Sequence, residues 1–187
     1  AFLSSEKFEL GRNFTNKIWN ASRFVLTNLK NFDNVTFGEK NLSDVDRWIL
    51  TELQKTIRAV TDSLEQFRLN DAATALYHFF WHSYCDWYVE LTKPVLSGGE
   101  TEERRKTVQS VLVYVLETAL RLLHPFMPFV TEDIWQRLKS QFLSAALKEK
   151  SIMMSAWPDY QIKQRFAEAS SMIEFFQEAV TGIRDIR

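Results

Sequence analysis

The chain has 187 residues, with 23 Lys and Arg against 24 Asp and Glu for a formal net charge of −1, and is 45% hydrophobic and 25% charged. These proportions exclude a disordered or collagen-like chain, and the near-neutral charge excludes binding nucleic acid through bulk charge. Five Gly and four Pro fall well below usual levels of about 7% and 5%, which leaves few turns for a many-stranded sheet and points to an all-α fold.

A chain of this length buries roughly 70% of its unfolded surface, enough for one sizeable core, and residues 1–187 read as a single helical domain. Cys85, the single cysteine, cannot form an internal disulfide, and no apolar run approaches the roughly 18 residues of a membrane span. Glu6, Lys7 and Glu9 interrupt any secretory signal, so the cytoplasm is the expected compartment. The start at Ala1 points to an excised piece of a longer protein.

In chain order, the first helix is expected over residues 6–30, with Phe14, Ile18, Ala21, Val25 and Leu29 forming one buried stripe. The opposite face reads Asn13, Asn16, Asn20, Arg23, Thr27 and Lys30, without a carboxylate. Residues 1–30 hold five bases (Lys7, Arg12, Lys17, Arg23, Lys30) against two acids (Glu6, Glu9), a local +3 that a phosphate backbone could approach. Phe24 adjoins Arg23 just off the apolar stripe, and a ring beside a guanidinium makes a base-stacking pair.

Residues 31–42 read as a loop. Ser43 and Asp46 form a capping-box-like start for a second helix with the stripe Ile49, Leu53, Ile57, Val60, Leu64 and Phe67. Asn70 is the expected cap of a third helix over residues 71–93, broken by Pro94 and Ser97-Gly98-Gly99. Thr101 caps a fourth helix carrying Val108, Leu112, Val115, Ala119 and Leu122, which ends at His124-Pro125. A fifth helix over residues 128–142 turns Ile134, Trp135 and Leu138 inward, and residues 143–165 wrap the bundle as irregular chain. A last helix from residue 166 presents Ala169, Ile173, Phe176, Val180 and Ile183 and runs to the final residue, which again suggests truncation.

Two constellations bear on chemistry. His78, His82, Asp86 and Glu90 stand at successive i, i+4 positions, as metal ligands on one helix face would. The zinc-protease pattern needs a Glu after the first histidine and no second acidic-histidine cluster completes a shell, so this face reads as polar and partly solvated, with no metal. Cys85 lies among bulky aromatics, where a thiol behaves as a small buried hydrophobe rather than a nucleophile. No P-loop, GxGxxG turn or GxSxG elbow occurs, so no catalytic residue is assigned.

Several strings carry a family resemblance: GRNFTNKIWNASRFVL (11–26), DRWIL (46–50), CDWYVELTKP (85–94), VLETALRLLHPFMPFVTEDIWQRL (115–138) and SIMMSAWP (151–158). Together, and in this order, they resemble the anticodon-binding region of the valyl-tRNA synthetase family of class I aminoacyl-tRNA synthetases. The isoleucyl and leucyl families share the bundle and an HPFMPF-like turn, whereas CDWYVELTKP looks like the valyl version.

The resemblance implies a helical bundle that receives the anticodon loop of tRNA(Val) and acts as a monomer. The full-length enzymes of the family join valine to tRNA using ATP with Mg. The HIGH-like and KMSKS-like motifs that handle ATP do not occur here, so this piece is expected to hold no cofactor and to be non-catalytic. Adenylation and editing are expected upstream, and the coiled-coil arm of bacterial members downstream. Carried over residue by residue, the family's anticodon contacts fall on Phe24 for stacking, Val89 for packing, Glu90 for hydrogen bonding and Lys93 for charge, with Arg23 beside the ring. Some relatives carry a base where this chain has Glu6, and Lys7 is the neighbouring substitute. The same domain of an isoleucyl or leucyl enzyme, and a helical protein-interaction scaffold, are the alternative readings.

Overall fold

The computed structural model describes residues 5–29, 32, 34–141 and 149–185, without the side chains of Lys7, Arg184 and Asp185. The helices are α1 (Ser5–Thr27), α2 (Asp44–Glu65), α3 (Leu69–His78), α4 (Glu90–Pro94), α5 (Glu102–Leu123), α6 (Pro128–Gln141) and α7 (Ala167–Asp185). Two π-helical stretches, Phe79–Val89 and Val95–Gly99, join α3 and α4 into one rod ending at Gly99. No strand occurs among the described residues, which makes the fold all-α.

The central element is α5. Val108, Val111, Leu112, Val113, Val115, Leu116, Ala119, Leu120, Leu122 and Leu123 are all buried, more than the expected stripe, because helices cover α5 on several sides. The α1 stripe packs into the same core from Phe14 to Leu29 as expected. Trp48 of α2 and Trp135 of α6 are fully enclosed, while Trp87 stays half-buried with its ring 6.3 Å from Phe176.

Ser43 and Asp46 form both halves of the capping box that starts α2. The Asp46 amide donates to Ser43 Oγ at 3.3 Å, and the Asp46 carboxylate accepts the Ser43 amide at 2.9 Å. The same carboxylate, wholly enclosed, also accepts from Tyr88 Oη at 2.7 Å and from Arg104 Nη1 at 2.5 Å. One side chain thus ties the start of α2 to the π-helical segment and to the first turn of α5.

Three expectations are corrected between α2 and α5. Phe67 does not extend the α2 stripe: it is 90% exposed with φ 57°. The helix closes at Glu65, two residues earlier, with Phe67 N donating to Leu64 O at 3.0 Å and Arg68 N to Ser63 O at 2.8 Å. These are the two bonds of a Schellman cap, with Phe in the left-handed position that glycine usually fills. Asn70 does not cap α3: the N-cap position is Arg68, whose carbonyl accepts from Asp71 and Ala72, and the cap has no side-chain bond. Pro94 does not break the third rod, which continues to Gly99. The reversal comes at Gly98, φ 97°, and at Gly99, where a Cβ would stand 2.9 Å from the Pro94 carbonyl oxygen.

Residues 149–166 form the expected irregular strap, with short 3-10 turns at Ile152–Met154 and Ile162–Gln164; residues 142–148 lie outside the described part. Side chains of α2 fasten it: Gln54 accepts from Gln161 N at 2.6 Å, Thr51 from Phe166 N at 2.8 Å, and Thr61 from Trp157 Nε1 at 2.9 Å. Arg121, paired with the buried Glu117 of α5, donates to Ala156 O at 2.8 Å. Burial pushes the Glu117 carboxyl above its ordinary value, and the guanidinium opposes that shift. The α7 stripe is covered only at Ala169 and Ile173; Phe176 is 49% exposed, Ile183 is exposed and Val180 half-buried. No helix among the described residues is long and apolar enough to cross a membrane.

Candidate nucleic-acid interface

Where α1 crosses the third rod, a surface cleft of about 210 Å³ opens. Lys17, Asn20, Ala21 and Phe24 of α1 form one wall, and Cys85, Val89, Glu90 and Lys93 form the other. Val89 is buried beneath it, Phe24 is half-buried, and Glu90 and Lys93 are exposed. Phe24, Val89, Glu90 and Lys93, from two segments some 65 positions apart in sequence, thus line one cleft.

The cleft is held from behind. In the π-helical segment, Tyr84 donates to the Leu112 carbonyl of α5 at 3.0 Å and Tyr88 to Asp46 at 2.7 Å. Both phenols are buried, and desolvation pushes their pKa values well above the ordinary phenol range. With the tyrosines anchored in the core, Cys85 and Val89, each one position further on, face α1.

The charged groups at the rim are arranged in pairs. Lys93 Nζ donates to both carboxylate oxygens of Glu90, at 2.7 and 2.6 Å, and lies 5.8 Å from the Phe24 ring centroid, within cation–π range. Lys17 Nζ lies 2.6 Å from Asp86 and 5.1 Å from the Trp81 ring centroid. Burial pushes the Cys85 thiol up to about 12, only partly offset by Lys17, so at neutral pH it is an uncharged part of the wall.

Of the acid-free face of α1, Asn13, Asn16, Asn20, Arg23 and Thr27 are exposed, and Lys30 lies outside the described residues. Arg23 sits next to Phe24 but does not line the cleft. The side chain of Lys7 lies outside the described residues. Sequence reasoning did not assign Lys17, Asn20 or Ala21 to the site. The available signal was their spacing: Lys17 and Asn20 precede Phe24 by seven and four residues, one helical face, and Ala21 leaves room beside the ring.

Among the described residues no group of three or more His, Cys, Asp or Glu side chains could hold a metal ion. The fold and cleft together define an all-α module with an aromatic, apolar and charged surface formed by two helical segments. The chain belongs to the family described as the anticodon-binding domain of tRNA ligase, matched over residues 46–187. It is 43% identical over 185 residues to the valine–tRNA ligase of Pseudothermotoga lettingae, covering 99% of this chain, and 45% identical over 188 residues to that of Listeria innocua, covering 98%. The chain spans about a fifth of the length of these curated relatives, 20% in each case. A solved structure with a similar fold is the Agrobacterium radiobacter K84 agnB2 LeuRS in its ternary complex with tRNA and LeuAMS. The two share a TM-score of 0.63 at 20% identity over 90% of this chain and 18% of that one.

Proposed function

We propose that this chain is the part of a valine–tRNA ligase that receives the anticodon loop of tRNA(Val), with residues 1–187 acting as one non-catalytic unit. The observation that carries the reading is the meeting of Phe24, Val89, Glu90 and Lys93 around one cleft. Each supplies a different element of single-strand recognition. The Phe24 ring stacks on a base, Val89 gives an apolar floor, and Glu90 accepts from an exocyclic amine such as cytosine N4. Lys93, with one N–H to spare beyond its two bonds to Glu90, donates to a base acceptor or a phosphate. Arg23 adds a cation beside the ring, and Lys7 one in the first turns of α1.

The relatives support the valine assignment, each named a valine–tRNA ligase and aligned across the cleft residues. ATP and Mg belong to the full-length enzyme, whose other segments carry out aminoacylation. The family resemblance further implies a monomer working in the cytoplasm.

The test is equilibrium binding of the full-length protein to tRNA(Val) transcripts carrying the valine, isoleucine or leucine anticodon. Preference for the valine anticodon, with affinity falling steeply as salt rises, is the expected result. Equal binding of all three would remove the reading, and preference for another anticodon would move the domain to that enzyme.

A further inference from the structure

The column His78, His82, Asp86 and Glu90 runs along the third rod into the cleft, and the reading above uses only its last member. In the structure its two acids are already neutralised, Asp86 by Lys17 and Glu90 by Lys93, each at 2.6 Å. His82 Nδ1 lies 3.3 Å from the second oxygen of Asp86. The His78 and His82 rings lie 5.5 Å apart, inclined by 34°.

Both imidazoles meet the Tyr77 ring edge-on at 6.0 Å, and Tyr77 belongs to a stack of larger rings. Tyr77 and Trp81 lie 5.3 Å apart at 27°, and Trp81 lies 6.4 Å from Phe14 at 23°. His78 and His82 are exposed, Tyr77 and Trp81 half-buried. Lys17 belongs to both regions: it lines the cleft and sits over Trp81. From Glu90 back to His78 the strip is up to about 18 Å long at 1.5 Å per residue, so it extends the cleft rather than deepening it.

Paired acids, exposed imidazoles beside an aromatic stack and a bridging ammonium suit a polyanion with flat, unpaired rings. We propose that this strip is a second surface for single-stranded RNA, continuous with the cleft. On it, His78, His82 and the exposed part of Trp81 stack a loop nucleotide flanking the anticodon triplet, and Lys17 meets its phosphate. The inference rests on the cleft receiving the anticodon loop. Because every base has a π-face, the strip adds affinity without adding discrimination.

The test uses the full-length protein and an anticodon stem-loop bearing 2-aminopurine either inside the triplet or at the loop position beside it. Stacking quenches the probe, so the parent protein is expected to quench both. The His78→Ala/His82→Ala variant should restore fluorescence at the flanking position only. It should also weaken binding about tenfold for cognate and anticodon-swapped loops alike. His78→Phe/His82→Phe, which keeps the rings, should retain the flanking quench, separating stacking from any general damage. Flanking fluorescence unaffected by the double alanine change, or a loss confined to the cognate loop, would overturn the strip while leaving the cleft standing. No quenching inside the triplet by the parent protein would overturn both.

Discussion

The phenol of Tyr88 donates to the enclosed carboxylate of Asp46 at 2.7 Å, joining the helix that carries Val89 and Glu90 to the capping box of α2. Asp46 keeps Arg104 and Ser43 as partners when this bond is lost, so Tyr88→Phe leaves no unpaired charge. Removing one hydrogen bond to a charged group should cost about 1.5 to 3 kcal/mol. Asp46→Ala removes at once the acceptor of the buried Tyr88 phenol, of the Ser43 amide and of Arg104 Nη1, and should cost more, about 3 to 5 kcal/mol. Urea denaturation of both variants checks the order; equal midpoints for the two would show that Asp46 is not the hub.

Phe67 occupies left-handed backbone with 90% of its surface exposed, so its side chain contributes little burial against the strain. A non-glycine residue there costs about 1 to 2 kcal/mol, part of which glycine returns through the flexibility it adds to the unfolded chain. Phe67→Gly should therefore stabilise the protein by up to about 1 kcal/mol, and Phe67→Val, branched at Cβ, should destabilise it. A lowered denaturation midpoint for Phe67→Gly would contradict the cap assignment.

The Cys85 thiol, whose pKa is raised from 9.0 to about 12, gives a pH signature. The folded state holds the proton more tightly than the unfolded state. The resulting stability is therefore complete below pH 9 and lost as pH rises from about 9 towards 12. Tyr84 and Tyr88, also raised, act in the same direction. Cys85→Ala should make the alkaline decline shallower without abolishing it. A decline of unchanged steepness would show that the thiol titrates freely in the fold.

Periodicity and caps made much of this fold legible. The α1 stripe, the Ser43 capping box and the inward face of α6 follow from 3.6-residue spacing and local hydrogen-bond chemistry. The same reasoning overran at Phe67, because the apolar spacing continues past the turn and the cap lacks its usual glycine. At Phe176 and Ile183 the stripe gives the apolar face but not the length its neighbours cover. The π-helical geometry of Phe79–Val89 left no mark that a 3.6-residue template detects.

In the cleft, the family resemblance supplied Phe24, Val89, Glu90 and Lys93, and helical spacing alone explained why the last three adjoin. Lys17 and Asn20 share the helical face of Phe24, but which residues of that face line the cleft depends on how α1 crosses the third rod, which is a property of packing.

The central claim is that Phe24, Glu90 and Lys93 act on the anticodon and contribute little to the fold. The most direct test is the affinity of full-length Phe24→Ala and Glu90→Gln variants for tRNA(Val) transcripts, alongside their thermal melts. Stacking on one ring is worth about 1 to 3 kcal/mol, so Phe24→Ala should weaken cognate binding by about one or two powers of ten with a much smaller effect on stability. Glu90→Gln should lose preference for cytosine over uracil at the final anticodon base, because uracil has no amine to donate. Variants that bind every transcript as the parent protein does would contradict the claim.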